Sequence, residues 1–221
     1  MSAVDTTLLG RPLSLVLVLS LVGLLPFAFM ALTSFVKIAT VLQIVRGAIG
    51  AESVPSSAVV LALSAALTLI AMAPVGSRIA ERLEPLLATS AAEPATLLTG
   101  AIDAVREPLR GFLSNNAAPK EKQRFLKLAQ KRRAPGDVSE TDLMVVVPAF
   151  LVTELLEAFT LGFAIYLPFL VIDLVVANVL IGLGMQMMNP NQISLPFKLL
   201  LFVAADGWGL LAEALVTGYV T

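Results

Sequence analysis

The chain has 221 residues and a net charge of −1 at pH 7; hydrophobic residues make up 57 % of it and charged residues only 14 %. Against the roughly 25 % charge of an average soluble domain, this balance belongs to a membrane or intramembrane-assembly protein. A net charge of −1 leaves no strongly basic face and argues against binding nucleic-acid phosphates. His and Cys are both absent, which excludes imidazole or thiolate zinc sites, Ser-His-Asp triads, Cys nucleophiles, His-ligated haem and iron–sulfur clusters. No complete Walker-type phosphate loop occurs either. The expectation is a non-enzymatic chain with no catalytic residue, no metal and no cofactor.

The N-terminal tail, 1–12, is short and polar. Residues 13–36 then run without a charge, with Pro26 inside the run and Lys37 closing it. Asp5 is set against Arg11 and no small-x-small site follows an apolar stretch of the usual length, so a retained membrane segment is expected rather than a cleaved signal peptide. Within 33–55, the apolar Phe35, Ile38, Val41, Leu42 and Val45 recur at three and four residues, which predicts a helix. Arg46, Gly47 and Gly50 then lead into a turn that runs to Pro55. A second uncharged run covers 53–77. Residues 13–77 thus read as a first hydrophobic helical hairpin.

From 78 to 142 the character changes, and most of the chain's charge is found there. Leu98, Ile102, Val105, Leu109 and Phe112 fall on one helical stripe, predicting an amphipathic helix. The run KEKQRFLKLAQKRR predicts another, whose basic face reads as solvated before it reads as a lipid or acidic-partner site. This is a small, helical, water-facing domain. Ser139 followed by Asp142 resembles a helix-start box, and Pro148 is placed to kink the helix that follows. Residues 143–221 form the second hydrophobic helical hairpin and the C-terminus. Trp208 and Tyr219 are read as interface-marking rings. The short turn after the first apolar run is slightly basic, which places it toward the cytoplasm and the charged domain on the opposite side.

The stretch 158–206 organises the rest. Between Glu157 and Lys198 its only charge is Asp173, in a run far longer than the roughly 20 apolar residues that cross a bilayer. Lys37, Glu154, Glu157, Asp173, Lys198 and Asp206 all lie within or beside apolar runs. Such groups are costly in an apolar medium and face a partner or water. Interhelical or intersubunit salt bridges are the first reading, ahead of snorkelling ends and of a proton or ion relay. Met185, Met187 and Met188 cannot share one helix stripe, so a loop or frayed helix end is expected there. From spacing alone, ordinary packing at a hairpin corner explains them as well as a yielding surface does. Gly162, Gly182, Gly184 and Ala177 offer small patches for close helix approach.

Three blocks carry a family resemblance: LLPFAFMALTSFVKIATVLQIVRGAIG (24–50), MAPVG (72–76), and AFTLGFAIYLPFLVIDLVVANVLIGLGMQMMNPNQISLPFKLLLFVAADGW (158–208). In these blocks the chain resembles the R subunit of the type III secretion export apparatus, the SctR family, whose flagellar counterpart is FliP. The resemblance implies an all-α core subunit of the inner-membrane export gate, and the expected lack of a signal peptide favours the injectisome over the flagellar system. About five copies would assemble in a closed, helical cone with the S and T subunits and meet the U and V subunits. Secreted proteins would pass unfolded through its pore. The cone would protrude to the periplasmic side at the basal-body centre, with the charged domain on that side too. It also implies that Met185, Met187 and Met188 form a gasket around the pore, although Gln186 interrupts the family's more continuous methionine run. Two other classes remain open on the residues alone. One is a proton-coupled small-solute transporter using Asp173, Glu154 and Glu157; the other is a carboxylate-based intramembrane protease.

Overall fold

A computed structural model describes residues 6–50, 55–88, 94–131 and 138–219. The first five residues of the tail, and Arg132 and Arg133 of the basic run, lie outside the described residues. Eight helices cover the described part: α1 (Thr6–Leu32), α2 (Phe35–Ile49), α3 (Ser57–Ala88), α4 (Pro94–Asn116), α5 (Pro119–Gln130), α6 (Leu143–Gly182), α7 (Pro190–Ala204) and α8 (Gly207–Thr217). No strand occurs among the described residues, and the chain is all-α.

The core is built on α2. Its stripe of Phe35, Ile38, Val41, Leu42 and Val45 is buried throughout, because α6, α3 and α1 pack against it from different sides. Gly50 closes α2 in the left-handed conformation, at φ 79°, where a residue without a Cβ carries no steric penalty. The first apolar run is not one straight span. It bends by 72° between Val22–Leu32 and Phe35–Ile49, at Thr33 and Ser34, and the hydroxyl of Thr33 donates back to the Phe29 carbonyl. Pro26 lies inside α1 without ending it.

The end of the first hairpin at 77 falls inside α3, which runs on unbroken to Ala88 with Pro74 and Pro85 within it. The charged segment also shares the common core: Phe112, Leu113 and Ala117 join the cluster that holds Val41, Val146 and Phe150. Phe112 meets Phe150 edge-on with ring centroids 5.7 Å apart. The α4 stripe is only half used, since Phe112 is buried while Ile102 and Val105 stay exposed. The side chain of Leu98 lies outside the described residues.

Helix α6 starts later than the Ser139 box alone implies. Asp142 occupies the N-cap, and its carboxylate reaches back to accept from the Ser139 N–H at 2.8 Å, which is the return half of a capping box. Pro148 and Pro168 sit inside α6 without interrupting it. At 40 residues, α6 is about 60 Å long. Along its most apolar window only 11 % of residues are buried. Helices α3, over Ser57–Leu86, and α6 are each long and apolar enough to cross a membrane; two bent pairs, α1 with α2 and α7 with α8, reach that standard together.

Candidate functional site

Three features are built onto this frame: two charge clusters and one loop. The first cluster sits where α2, α6 and the C-terminus meet. Lys37, one turn into α2, is 3.2 Å from Oε1 of Glu154 and 2.8 Å from Oε2 of Glu157. The two glutamates are three residues apart and therefore share a face of α6. Lys37 and Glu154 are buried, whereas the Glu157 side chain is 50 % exposed. Tyr219 completes the cluster. Its hydroxyl donates to Oε2 of Glu154 at 2.5 Å, and the Ser34 carbonyl lies 3.3 Å away. The Lys37 ammonium stands 4.1 Å from the centre of the Tyr219 ring, a cation–π contact strengthened by exclusion of water. Burial, and then the neighbouring Glu154 carboxylate, push the Tyr219 phenol far above its ordinary value, so it remains an O–H donor. Tyr219 is thus a core residue packed on Phe112, not the interface ring expected from its position. Trp208 likewise packs edge-on against Phe202.

The second cluster joins α6 to α7. Lys198 Nζ lies 2.6 Å from Oδ2 of Asp173, and the Ser194 hydroxyl donates to Oδ1 at 2.5 Å. Lys198 is buried and Asp173 is one-quarter exposed. A Cβ built on Gly50 would stand 3.6 Å from the Lys198 ammonium, so that charge also lies at the C-terminal end of α2, where the helix dipole favours a cation. The structure therefore brings Lys37 to Glu154 and Glu157, and Lys198 to Asp173. Lys37 and Asp173 do not meet. Asp206 stands apart from both clusters; it is exposed, caps α8 in the left-handed conformation at φ 49°, and makes no ion pair among the described residues.

The third feature is the loop between α6 and α7. Helix α6 ends in a Schellman turn: the Met185 N–H bonds the Leu180 carbonyl and the Gly184 N–H bonds that of Ile181, with Gly184 at φ 73°. On the far side, the Asn189 side chain accepts from the Asn191 N–H at 3.0 Å and Pro190 opens α7. Both ends of the loop are thus fixed, one by backbone hydrogen bonds and the other by the Asn189 side-chain cap and Pro190. Met187 is fully exposed, and Met185 and Met188 are each 41 % exposed. Gln186 is exposed as well. Of the small residues, Gly162 makes a close approach, since a Cβ there would meet the Ile44 side chain of α2 at 2.5 Å; nothing lies within 4 Å of Gly182 or Gly184.

The model of the FliP family matches residues 18–215, nearly the whole chain. The chain belongs to the FliP family. Its curated relatives come from both branches of that family. It is 39 % identical over 209 residues to the hypersensitivity response secretion protein HrcR of Ralstonia nicotianae, covering 93 % of this chain and 96 % of the relative. It is 40 % identical over 217 residues to the Yop proteins translocation protein R of Yersinia pestis, at 94 % and 96 % coverage. The flagellar biosynthetic protein FliP of Caulobacter vibrioides is 40 % identical over 210 residues, at 95 % and 77 %. This FliP-family chain thus places five of the six expected charges in two separate clusters, with Asp206 apart from both. Sequence reasoning missed Tyr219, Ser34 and Ser194. Only Ser194 left a signal, as the residue four before Lys198 on the same face of a helix.

Proposed function

We propose that this chain is a core subunit of a bacterial inner-membrane protein-export gate, working as one of several copies around a channel that stays shut at rest. Membership of the FliP family and relatives named for type III secretion and flagellar biosynthesis support an export-apparatus component of the membrane. The observation that carries the reading furthest is α6. It is about 60 Å long, and a hydrocarbon core is about 30 Å thick. Fitting it within lipid would require a tilt of about 60°, beyond the roughly 40° reached by membrane helices. Yet Phe159, near its middle, and Phe163, Leu174 and Ile181, along its second half, are each 60 % exposed or more. Exposed apolar surface of this extent needs a cover, and in this reading further copies and partner subunits supply it.

In this reading the loop of Met185, Met187 and Met188 closes the channel. A closed ring needs side chains that seal against unlike neighbours and yield to varied chains, and flexible, polarizable thioethers do both. The capped loop leaves Met187 fully exposed and Met185 and Met188 each 41 % exposed. Gln186 interrupts the methionine run, so the seal tolerates one polar member. The charged segment of α4 and α5 faces the periplasm, and secreted proteins pass unfolded, with the S, T, U and V subunits completing the gate. The transporter reading loses its main support, because Glu154, Glu157 and Asp173 each have a lysine partner. Replacing all three methionines by Ala raises ion leak through the assembled gate, read as single-channel or whole-cell conductance. Unchanged conductance together with unchanged secretion overturns the gasket.

A further inference from the structure

Besides the clusters themselves, a polar cavity of about 240 Å³ opens beside Glu157, walled by Asn115, Ala118 and Pro119 of the α4–α5 turn together with Lys37 and Glu154. Its charged lining is Lys37 against Glu154 and Glu157, a balance of −1. Glu154 is satisfied inside by Tyr219 and Lys37, which leaves Glu157 as the group facing the opening. Oε1 of Glu157 accepts no hydrogen bond and makes no ion pair among the described residues. The surface around it is apolar: Leu156 is 62 % exposed, and Leu161, one turn on along the face of Glu157, is 44 % exposed. Covering that surface with protein strips water from Glu157, and one lysine cannot balance two desolvated carboxylates. The covering surface must bring a cation.

A matching surface lies elsewhere on the same chain. An apolar groove of about 510 Å³ runs between α4 and the ends of α1 and α6, lined by Leu32, Ile102, Val105, Leu109 and Leu143, and one charge, Arg106, stands in it. Ile102 and Val105 are 55 % and 37 % exposed. Arg106 is exposed and makes no ion pair among the described residues. The chain's other exposed cations fit less well. Arg78 and Arg82 alternate with Glu81 and Glu84 along α3, and Lys120, Lys127 and Lys131 lie on the hydrophilic face of α5. Only Arg106, among these, is a cation set in exposed apolar surface, as Glu157 is an anion set in exposed apolar surface.

We infer that Arg106 of one copy enters the polar cavity of the next and pairs with Glu157, while the exposed apolar side chains flanking each charge pack around the pair. A guanidinium suits the site because it can engage a carboxylate with two parallel bonds and reach the Asn115 amide beside it. Two different patches of the chain meet, so the contact is head to tail and repeats around a ring where the rotation closes. The apolar rim excludes water and makes the pair decisive for register. This rests on the reading of the chain as a homo-oligomer.

The test uses the full chain expressed in membranes and extracted in mild detergent, with copy number read by native mass spectrometry. Glu157→Arg and Arg106→Glu each lower the assembled fraction about tenfold or more through like-charge contact, and the double variant restores it. Because the chain has no cysteine, Glu157→Cys with Arg106→Cys adds a second readout: oxidation in membranes gives a ladder of linked copies on a denaturing gel. A monomeric wild-type chain overturns the homo-oligomer and this contact together. An assembled wild type with no ladder, or single reversals that assemble normally, overturns the contact alone. Failure of the double variant to recover, with both single variants folded, also counts against the pairing.

Discussion

The two halves of α6 are both strongly apolar in sequence and differ in fate. In the first half, Val145, Val146, Ala149, Phe150 and Ala158 are fully buried under α2, α4 and α5. In the second, Phe163, Leu174 and Ile181 are each at least 60 % exposed, and only Phe169 and Leu180 are buried. The charge clusters follow the same division. Glu154 is sealed in the core with Lys37 and Tyr219, whereas Asp173 is one-quarter exposed beside Lys198. Hydrophobicity marks surface that must leave water, but it does not say what will cover it. In the first half the chain covers itself; in the second the apolar surface is left open, and the proposed neighbouring subunits would cover it.

Removing the cation tests this division most severely. Lys37→Met leaves Glu154 buried against a second carboxylate, with only the Tyr219 hydroxyl for support. The expected loss is about 3–5 kcal/mol, as for other buried pairs broken on one side, read as a fall in the unfolding midpoint in mixed detergent micelles. Lys198→Met strands a carboxylate that still reaches solvent and still accepts from Ser194, so about 1–3 kcal/mol is expected. Equal losses would break the contrast between the clusters. The apolar counterpart is Phe150→Ala against Phe163→Ala. The first opens a cavity beside Phe112 and costs about 3–5 kcal/mol; the second changes subunit stability by no more than about 0.5 kcal/mol while weakening assembly. A Phe163→Ala chain that unfolds as readily as Phe150→Ala would mean that the second half is also packed within the subunit.

Tyr219 ties the C-terminus to the buried half. Tyr219→Phe keeps the ring on Phe112 and removes only the O–H donor to Glu154, for an expected loss of about 1.5–3 kcal/mol, as for hydrogen bonds to charged groups. Its pH dependence has a definite sign. The phenol is held neutral in the fold by burial and Glu154, so the unfolded chain ionises first, near pH ~10. Wild-type stability therefore falls as pH rises past that point, and Tyr219→Phe lacks this component. Matching alkaline profiles for the two proteins would remove Tyr219 from the buried cluster.

Much of this was legible in the residues. The three- and four-residue spacing of Phe35, Ile38, Val41, Leu42 and Val45 gave the central helix, because amphipathic burial writes itself into period. Glu154 and Glu157 could be placed on one face by the same arithmetic. Their lysine could not be placed, since Lys37 lies 120 residues from Glu157 and only the packing of α2 on α6 decides the pairing. Tyr219 was misread for a related reason. A ring near a chain end looks like an interface marker until the fold brings that end back over Ser34 and Glu154. Charge marks where a helix becomes wet, not where it stops, and α3 continues for more than two turns beyond the expected hairpin end at 77.

The smallest effect separates the backbone of the methionine loop from the backbone of the core. Gly50 and Gly184 both end helices at positive φ, 79° and 73°, so an Ala at either one meets about 1–2 kcal/mol of left-handed strain. Their surroundings differ. A Cβ at Gly50 arrives in ordinary contact with the Lys198 ammonium, while nothing stands within 4 Å of one at Gly184. Gly50→Ala must therefore keep its strain, because α2 is fixed by the core and by the charge at its end, and the unfolding midpoint falls. At Gly184 the exposed loop can relax by giving up the bonds from Gly184 to Ile181 and from Met185 to Leu180. The fold then survives with little loss while the three methionines move. Gly184→Ala is expected to leave the unfolding midpoint nearly unchanged and to raise ion leak in the assembled gate. The reverse pattern, a lowered midpoint with a tight gate, would show the loop to be as rigid as the core and its glycine to serve folding alone.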